Sequence, residues 1–392
     1  MRNAVIVSYA RTPIGEFNGA LATTPADVLG GIIMAELIRR AGVEASLVDE
    51  VIFGNVLPHG LGQNPARQAV LKGGLPVGTS ALTVNKVCGS GLKAIMLAAQ
   101  AIQVGDADVV LAGGMENMNL APYFMPKART GARMGHTQLL DAMVHDGLWD
   151  LPNDVHMGTT AEWVTEKFGV TREDMDAFSA RSYEKALAAQ AAGLFDAEIC
   201  PVSIPQRKGA PKVFSVDETP RPTPIDVLSK LRPAFKRDGT VTAGNASKIS
   251  DGAAGVMVMA EEVALAHGLT PLFRIGAQVA AGVDPKDVLV APIASIPKLL
   301  KKAGLTEADV HLHEINEAFA TSSVAINRAL NIDEAKVNVH GGSIALGHPI
   351  GASGARILTT LLSALTARDQ SVGMATLCLG GGEAVSMLVE RV

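Results

Sequence analysis

Short apolar runs alternate with amphipathic stretches through the first third of the chain, and this alternation restricts the fold more than any other feature. The runs with the length and composition of buried strands are AVIVSY (4–9), EVIFGNV (50–56), ALTVNKV (81–87) and DVVLAGG (108–114). Apolar residues at helical spacing separate these runs at 24–42, 64–74 and 92–105. The alternation predicts an α/β protein with a parallel or mostly parallel sheet that is covered by helices on both faces.

The same pattern returns in the last third, after a middle region of different character. Strand patterns recur at 272–282, 309–315, 373–381 and 384–392, and helix patterns recur at 317–330 and 351–365. Residues 119–248 instead carry many of the prolines and an amphipathic helix at 171–193, which indicates an inserted subdomain. Because VLAGGMEN (110–117) is similar to LCLGGGEA (377–384), we predict two similar halves. The predicted divisions are an N-terminal half at 1–118, an inserted loop domain that returns to that half at 119–248, and a C-terminal half at 249–392.

Charge and cysteine content exclude several classes of protein. The net charge of −5, without a long basic or acidic run, argues against nucleic acid and membrane surfaces as partners. Three cysteines in 392 residues cannot build a disulfide framework and suggest a reducing compartment, so we expect a cytoplasmic protein. We also expect no membrane span, because no stretch has the required length, and no targeting peptide, because the chain enters its first strand pattern directly.

Cys88 lies between a strand pattern and a helix pattern, in KVCGSGLKAIM (86–96). Open α/β sheets bind ligands at the carboxyl ends of their strands, and the positive end of a helix dipole stabilises a thiolate. Gly89 and Gly91 allow a substrate or another segment to come close. Cys88 is therefore a candidate nucleophile, and the alternative is a buried structural cysteine.

Three further segments carry candidate chemistry. In HGGSIALGHPIGASGAR (340–356), His348 precedes a proline in a glycine-rich loop, which suits a positioned base. The alternatives are an incidental histidine in a turn and a phosphate-binding loop, although the Lys–Ser/Thr ending of a P-loop is missing. In LCLGGGEAV (377–385), Cys378 precedes three glycines, which suit either an oxyanion hole or a tight hairpin turn beside a buried cysteine. In HEINEAFA (313–320), Asn316 either has a chemical role or caps the helix that follows.

Two thiols, a histidine and an amide on loops after strands leave few chemistries. No close Cys/His pair has zinc spacing, so we expect no metal. A disulfide oxidoreductase would place two cysteines close together in the sequence. A protease-like Cys–His pair would leave the second cysteine unexplained, whereas acyl transfer through a thioester accounts for all four residues.

The chain resembles the thiolases of the acetyl-CoA acetyltransferase type over nearly its full length. The resemblance rests on VNKVCGSGLKA, GGMENM, AGNAS, NEAFA, GHPIGASGAR and CLGGG, which occur in the thiolase order and spacing. It implies the thiolase fold, with two similar βα halves in five alternating layers (αβαβα) and a loop domain inserted in the first half. It also implies acetyl-CoA C-acetyltransferase activity, the reversible Claisen condensation of two acetyl-CoA molecules to acetoacetyl-CoA and CoA.

The resemblance assigns a role to each candidate residue. Cys88 is similar to the nucleophile that takes up the acyl group, His348 to the base that activates it, and Cys378 to the thiol that moves the α-proton. Asn316 is similar to a residue that holds a water, which binds the enolate oxygen together with His348. The N–H groups of Cys88 and Gly380 would hold the other oxyanion.

Coenzyme A enters as substrate and product, and the resemblance implies no other cofactor. The residues that would bind it are Leu148, His156, Met157, Arg221, Phe235, Ala243, Ser247, Ala318 and Phe319. Several positions depart from the family pattern and leave chain-length preference and CoA affinity open: Lys248, Ser250, Val288, Ile315 and Glu383.

The sequence is compatible with three alternative functions. They are a 3-ketoacyl-CoA thiolase of β-oxidation with a broader chain-length range, a decarboxylating ketoacyl synthase, and a non-catalytic binding protein for acyl chains. Cys378 before the glycine triplet argues against the second, and the presence of Cys88, His348 and Cys378 together argues against the third. We also expect a homo-oligomer, a dimer or tetramer, because thiolases pair through the first half and GGMENMNLAPYFMP (113–126) is apolar. KARTGARMGHTQ (127–138) has the polar, glycine-rich character of a tetramer loop.

Overall fold

The computed structural model describes all 392 residues of the chain. Sixteen strands, β1 to β16, span Ala4–Arg11, Gly15–Glu16, Glu50–Gly54, Ser80–Val84, Val109–Asn117, Tyr123–Phe124, Leu140–Asp141, Trp149–Asp150, Val155–His156, Val202–Ile204, Lys212–Phe214, Ser250–Ala260, Phe273–Gly282, Leu312–Ile315, Val372–Leu379 and Glu383–Arg391. Eleven helices, α1 to α11, span Ala26–Ala41, Pro65–Lys72, Ser90–Val104, Met157–Phe168, Arg172–Ala191, Ile225–Leu228, Glu261–Ala266, Pro292–Ala303, Ala320–Leu330, Ser343–Leu346 and Ile350–Ala367. Every strand and helix predicted in the first third is present within a few residues of its predicted bounds.

The main sheet is mixed, so the expectation of a parallel or mostly parallel sheet is wrong. Its strand order is β14-β15-β16-β13-β1-β12-β5-β3-β4. The pairs β14–β15, β3–β5 and β3–β4 are parallel, whereas the five pairs between β15 and β5 are antiparallel. Two consecutive strands that pair in parallel need a crossover connection, such as a helix, between them. A hairpin such as β15–β16 has no crossover, so its two strands are antiparallel.

Strand β12 is the element that the sequence analysis missed. All of its residues are buried, and it pairs with β1 on one side and β5 on the other. These pairings place β12 between two strands of the predicted N-terminal half, although its residues follow the predicted division at 249. A strand buried on both faces lacks the alternation of polar and apolar residues, and its Ser–Asp–Gly start resembles a turn.

Helices α3 and α11 lie side by side between two parts of the sheet. The parts β1-β12-β5-β3-β4 and β13-β16-β15-β14 are joined only through two residue pairs between β1 and β13. One buried cluster unites Leu92 of α3 and Leu358 of α11 with Val110 of one part and Leu377 of the other. Helices α1 and α2 cover the outer face of the first part, and α8 covers the second. The layers therefore alternate helix, sheet, helix, sheet, helix.

The segment between β5 and β12 packs its helices onto the C-terminal half. Val164 of α4 and Met175 of α5 share a buried cluster with Val324 of α9 and Ile344 of α10. Cys378 belongs to the same cluster. The inserted segment thereby forms one side of the region that carries Asn316, His348 and Cys378.

Two segments have the length and apolar composition of a membrane span, contrary to the expectation that none would. They are Val87–Val104 and Ile350–Ala367, and 56% and 89% of their residues are buried inside the protein. The central layer explains this composition, because α3 and α11 contact sheet on two sides and must be apolar nearly all round.

Candidate active site

One cavity of about 480 Å³ brings together nearly all of the residues selected from the sequence. Its wall includes four of the five residues with a predicted catalytic role: Cys88, His348, Cys378 and Gly380. The predicted CoA-binding residues in the same wall are Leu148, His156, Met157, Arg221, Phe235, Ala243, Ser247, Ala318 and Phe319. Asn316 lies behind the wall, with its Nδ2 atom 3.5 Å from His348 Nε2. The four sequence segments that carry candidate chemistry therefore meet at one place.

A tight turn between β4 and α3 presents Cys88. Ser90 Oγ accepts a hydrogen bond from the Lys86 N–H at 2.8 Å and donates to the Val87 carbonyl oxygen at 2.6 Å. Val87 has φ +47°, a left-handed conformation that is unfavourable for a β-branched residue. Such backbone strain persists only where the surrounding contacts hold it, and it is common next to reactive residues.

The Cys88 thiol faces two backbone donors. Burial raises the pKa of the Cys88 thiol to about 11, and hydrogen bonds from the N–H groups of Gly380 and Cys88 offset part of this rise. The same two donors are suited to an oxyanion that forms next to the sulfur. Because the thiol is neutral at pH 7, its use as a nucleophile requires a base.

His348 lies between α10 and α11 and is held in one tautomer. Its Nδ1 atom is 2.5 Å from Ser353 Oγ, and this hydroxyl donates to the Pro349 carbonyl oxygen at 2.9 Å. Since the hydroxyl hydrogen is already used, Ser353 Oγ accepts from Nδ1–H, and Nε2 is left as the basic atom. Burial, with a smaller contribution from the charge of Arg356, lowers the pKa of His348 to about 3. The imidazole is therefore a neutral base at pH 7.

Cys378 is the second thiol of the cavity and lies near the end of β15. Burial raises the pKa of Cys378, and the nearby Cys88 thiol adds to this shift. The Cys378 thiol is therefore protonated at pH 7 and suited to donate a proton to a carbanion. The third cysteine, Cys200, is buried in the core of the first half and does not line the cavity.

Asn316 follows β14 and does not cap a helix. Helix α9 begins at Ala320 and has no side-chain cap. Asn316 Oδ1 accepts a hydrogen bond from Ser343 Oγ at 2.5 Å, so that Nδ2 faces His348. The capping alternative is therefore wrong.

Aromatic and apolar side chains form most of the remaining wall. The rings of His156 and Phe235 stack with their centroids 4.8 Å apart, and Phe235 meets Phe319 edge to face at 6.3 Å. Arg221 forms an ion pair with Glu16 at 2.8 Å. A mostly apolar slot with a charged group in its wall is suited to a long, flexible ligand arm that ends in a polar group.

Several residues that line the cavity were not predicted from the sequence. Lys248, noted only as a departure, lines the wall and donates from Nζ to the Ala243 carbonyl oxygen at 2.7 Å. Burial lowers the pKa of Lys248 to about 8. Glu16 and Phe17 also line the cavity, from a segment far from the motifs, so no spacing signal could have found them.

Glu116, in the GGMEN motif, holds backbone segments next to the site by hydrogen bonds. Its carboxylate accepts hydrogen bonds from the N–H groups of Val56, Leu57 and Gly351 at 3.0, 3.2 and 2.9 Å. Burial raises the pKa of Glu116 to about 7. Because Gly351 lies in the first turn of α11, Glu116 helps to fix the segment that carries His348.

Two family models together cover almost the whole chain. "Thiolase, N-terminal domain" matches residues 4–262, and "Thiolase, C-terminal domain" matches residues 269–391. The chain belongs to the thiolase family.

Named relatives agree with this assignment. The chain is 55% identical over 392 residues to the acetyl-CoA acetyltransferase of Pseudomonas aeruginosa, with 100% of both chains covered. It is 54% identical over 393 residues to the acetyl-CoA acetyltransferase of Escherichia coli strain K12, again with 100% of both chains covered. The crystal structure of the Bacillus anthracis acetyl-CoA acetyltransferase matches with a TM-score of 0.98 at 42% identity, covering 100% of this chain and 99% of that chain. The predicted thiolase fold is confirmed.

Proposed function

We propose that this chain is an acetyl-CoA C-acetyltransferase, which condenses two acetyl-CoA molecules to acetoacetyl-CoA and CoA and also catalyses the reverse thiolysis. The observation that carries the proposal is the convergence of Cys88, His348 and Cys378 on one cavity. Six full-length or nearly full-length relatives with the name acetyl-CoA acetyltransferase, at 53–55% identity, support it.

Thiolysis begins with cleavage of the ketoacyl chain. His348 Nε2 takes the Cys88 proton, and the thiolate attacks the 3-keto carbon of acetoacetyl-CoA. The N–H groups of Cys88 and Gly380 hold the oxyanion, a kind of contact worth about 3 kcal/mol per donor. The bond between C2 and C3 then breaks, leaving acetyl-Cys88 and the enolate of acetyl-CoA. Protonated His348 and the Asn316 amide stabilise the enolate oxygen, and the Cys378 thiol protonates the enolate carbon.

Transfer of the acetyl group to CoA completes the cycle. The incoming CoA thiol gives its proton to the Cys378 thiolate, and its sulfur attacks the acetyl carbon on Cys88. The Cys88 thiolate leaves and recovers its proton from His348. Condensation is the same sequence reversed, and the covalent intermediate divides one difficult exchange into two easier steps.

Two assays distinguish this function from a binding protein and from a ketoacyl synthase. The protein is incubated with acetoacetyl-CoA and CoA, and we expect two acetyl-CoA molecules for each ketoacyl thioester consumed. Binding without turnover would indicate a binding protein for acyl chains. In a second assay, with a malonyl thioester, decarboxylation by a protein that does not catalyse thiolysis would indicate a ketoacyl synthase.

We also propose that the protein is a homo-oligomer that pairs through the first half. Strand β4 ends the main sheet, and Leu82 on it is 45% exposed, so this edge is available to a second chain. The predicted patch at 113–126 contributes less than expected, because Met115 and Met118 are buried inside the chain. Light scattering at low micromolar concentration tests the proposal, and a monomer of 40.7 kDa would contradict it.

A further inference from the structure

A line of hydrogen bonds runs from a buried arginine to the amide of Asn316. Arg356 Nη2 donates to Ser343 Oγ at 3.2 Å, and Ser343 Oγ donates to Asn316 Oδ1 at 2.5 Å. Asn316 Nδ2 then lies 3.5 Å from His348 Nε2, and all four residues are buried. The line therefore ends at the atoms that face the enolate oxygen in the proposed reaction.

The direction of this line follows from the donors available. A guanidinium only donates, so Ser343 Oγ must accept from Arg356. The single hydroxyl hydrogen of Ser343 then has Asn316 as its only other partner. A separation of 2.5 Å lies at the short end of the range for O–H···O bonds and below the range for N–H···O bonds, which places the Asn316 oxygen against Ser343.

The orientation of the Asn316 amide decides what the reacting oxygen meets. The Asn316 backbone is fixed, because its N–H donates to the Thr376 carbonyl oxygen at 3.0 Å, so rotation of the side-chain amide is the remaining freedom. A flipped amide would present an acceptor next to His348 Nε2, and this acceptor would repel an enolate oxygen. It would also leave the buried Ser343 hydroxyl without an acceptor, which is unfavourable for a buried polar group.

Arg356 strengthens this arrangement. Its guanidinium is buried, and its nearest carboxylate, Glu314, is 3.6 Å away. A positive charge that donates to Ser343 makes the Ser343 hydroxyl a better donor to Asn316, because hydrogen bonds in a line polarise one another. Asn316 Nδ2 thereby becomes a better donor to an anion.

We propose that Ser343 is a positioning residue for the enolate half of the reaction, because it fixes the Asn316 amide with Nδ2 beside His348 Nε2. The Nδ2 donor then serves the enolate oxygen either directly or through one bound water. This inference rests on the proposed function, since the enolate arises only in carbon–carbon bond formation and cleavage. Acylation of Cys88 by acetyl-CoA involves no enolate and does not depend on Ser343.

The substitution Ser343→Ala tests the inference through two separate readouts. Exchange of labelled CoA into acetyl-CoA reports acylation, and we expect it to stay within about twofold of wild type. We expect kcat for thiolysis and the rate of deuterium exchange at the acetyl-CoA methyl group to fall about tenfold, less than loss of a whole oxyanion donor, with KM unchanged. Ser323→Ala removes a buried hydroxyl that has no hydrogen-bond partner and serves as the matched control.

A double-mutant cycle with Asn316→Ala separates positioning from general damage. If Ser343 acts through Asn316, Ser343→Ala has no further effect in the Asn316→Ala background. Full additivity, equal losses in acylation and thiolysis, or no loss at all would each overturn the inference. Ser343→Cys, with a similar shape and a weaker donor, provides the same comparison if the alanine variant does not fold. Failure of the proposed function is distinguishable, because it appears as absence of wild-type thiolysis.

Discussion

Lys86 and Glu383 form an ion pair, with Nζ and Oε2 2.6 Å apart, that joins the turn before Cys88 to the turn after Gly380. These two turns supply the sulfur and the opposing N–H donor of the active site. Glu383 was one of the positions at which the chain departs from the thiolase pattern, and the structure gives it a partner. The pair holds together two loops that come from different halves of the chain.

We predict that Glu383→Gln slows acetylation of Cys88 by no more than about fivefold, because partly exposed ion pairs contribute about 0.2–1 kcal/mol. Added salt should slow the wild type toward the rate of the variant and should leave the variant unchanged, because salt screens the pair. Glu262→Gln removes a distant exposed partner of Arg2 and serves as the control. Identical salt responses of wild type and Glu383→Gln would contradict the prediction.

Replacement of the nucleophile should abolish the covalent intermediate. We expect Cys88→Ser to form no acetyl-enzyme, because a serine hydroxyl beside the same base ionises far less than a thiol. Mass spectrometry after incubation with acetyl-CoA measures the adduct, and Cys200→Ser should keep it. An acetyl group that persists on the Cys88 variant, or that appears on Cys200, would show that the nucleophile lies elsewhere.

The thiols of Cys88 and Cys378 should have different functions. Cys378→Ala should retain acetylation of Cys88, because only the enolate step requires a proton at the α-carbon. Thiolysis of acetoacetyl-CoA should fall at least about 100-fold, the lower end of what proton transfer by a positioned side chain contributes. Acetylation of Cys88 is measured by mass spectrometry after incubation with acetyl-CoA, because exchange of labelled CoA also uses the Cys378 thiolate. Thiolysis is measured by loss of the ketoacyl thioester. Loss of acetylation in a folded variant would refute this division of roles.

The pH dependence of Cys88 alkylation should reveal a neutral thiol. The pKa of Cys88 is raised to about 11, so at lower pH the thiolate fraction increases about tenfold for each unit by which the pH rises. Iodoacetamide inactivation should therefore still be rising between pH 7 and 9. The pKa of His348, lowered to about 3, keeps the imidazole neutral down to pH 5, so acidification alone should not create an imidazolium that stabilises the thiolate. A rate that levels off below pH 8 would instead indicate a thiolate–imidazolium pair.

Chain-length preference should favour short substrates. We expect kcat/KM to be highest for the C4 ketoacyl-CoA in a series of C4, C6, C8 and C16, with some tolerance of C6. Val288 and Leu289 line the cavity, so Val288→Met should lower kcat/KM for C6 relative to C4 by up to about tenfold. Val290→Met, at a neighbouring buried position outside the wall, is the control. A maximum at C8 or beyond would favour the broader 3-ketoacyl-CoA thiolase.

Local signals predicted the position of Cys88 because strand, glycine and helix boundaries are encoded within a few residues. The same local reasoning could not settle Asn316, since capping and catalysis require the same residue type at the same junction. Ser353 and Ser343 were not predicted, because their roles depend on contacts that form only when α10, α11 and the segment after β14 come together. Strand β12 was missed because burial on both faces removes the alternation that marks a strand.

Helices α3 and α11 approach so closely that glycine is required at their contact. A Cβ atom on Gly354 would lie 2.4 Å from the Leu92 nitrogen, and one on Gly91 would lie 2.8 Å from the Ala355 nitrogen. Cys88 and His348 each stand two residues before the start of one of these helices. The distance between nucleophile and base therefore depends on the distance between the two helices, which glycines at the contact keep short. Each half supplies one member of the reactive pair, so a fragment that encoded one half alone would lack either the nucleophile or the base.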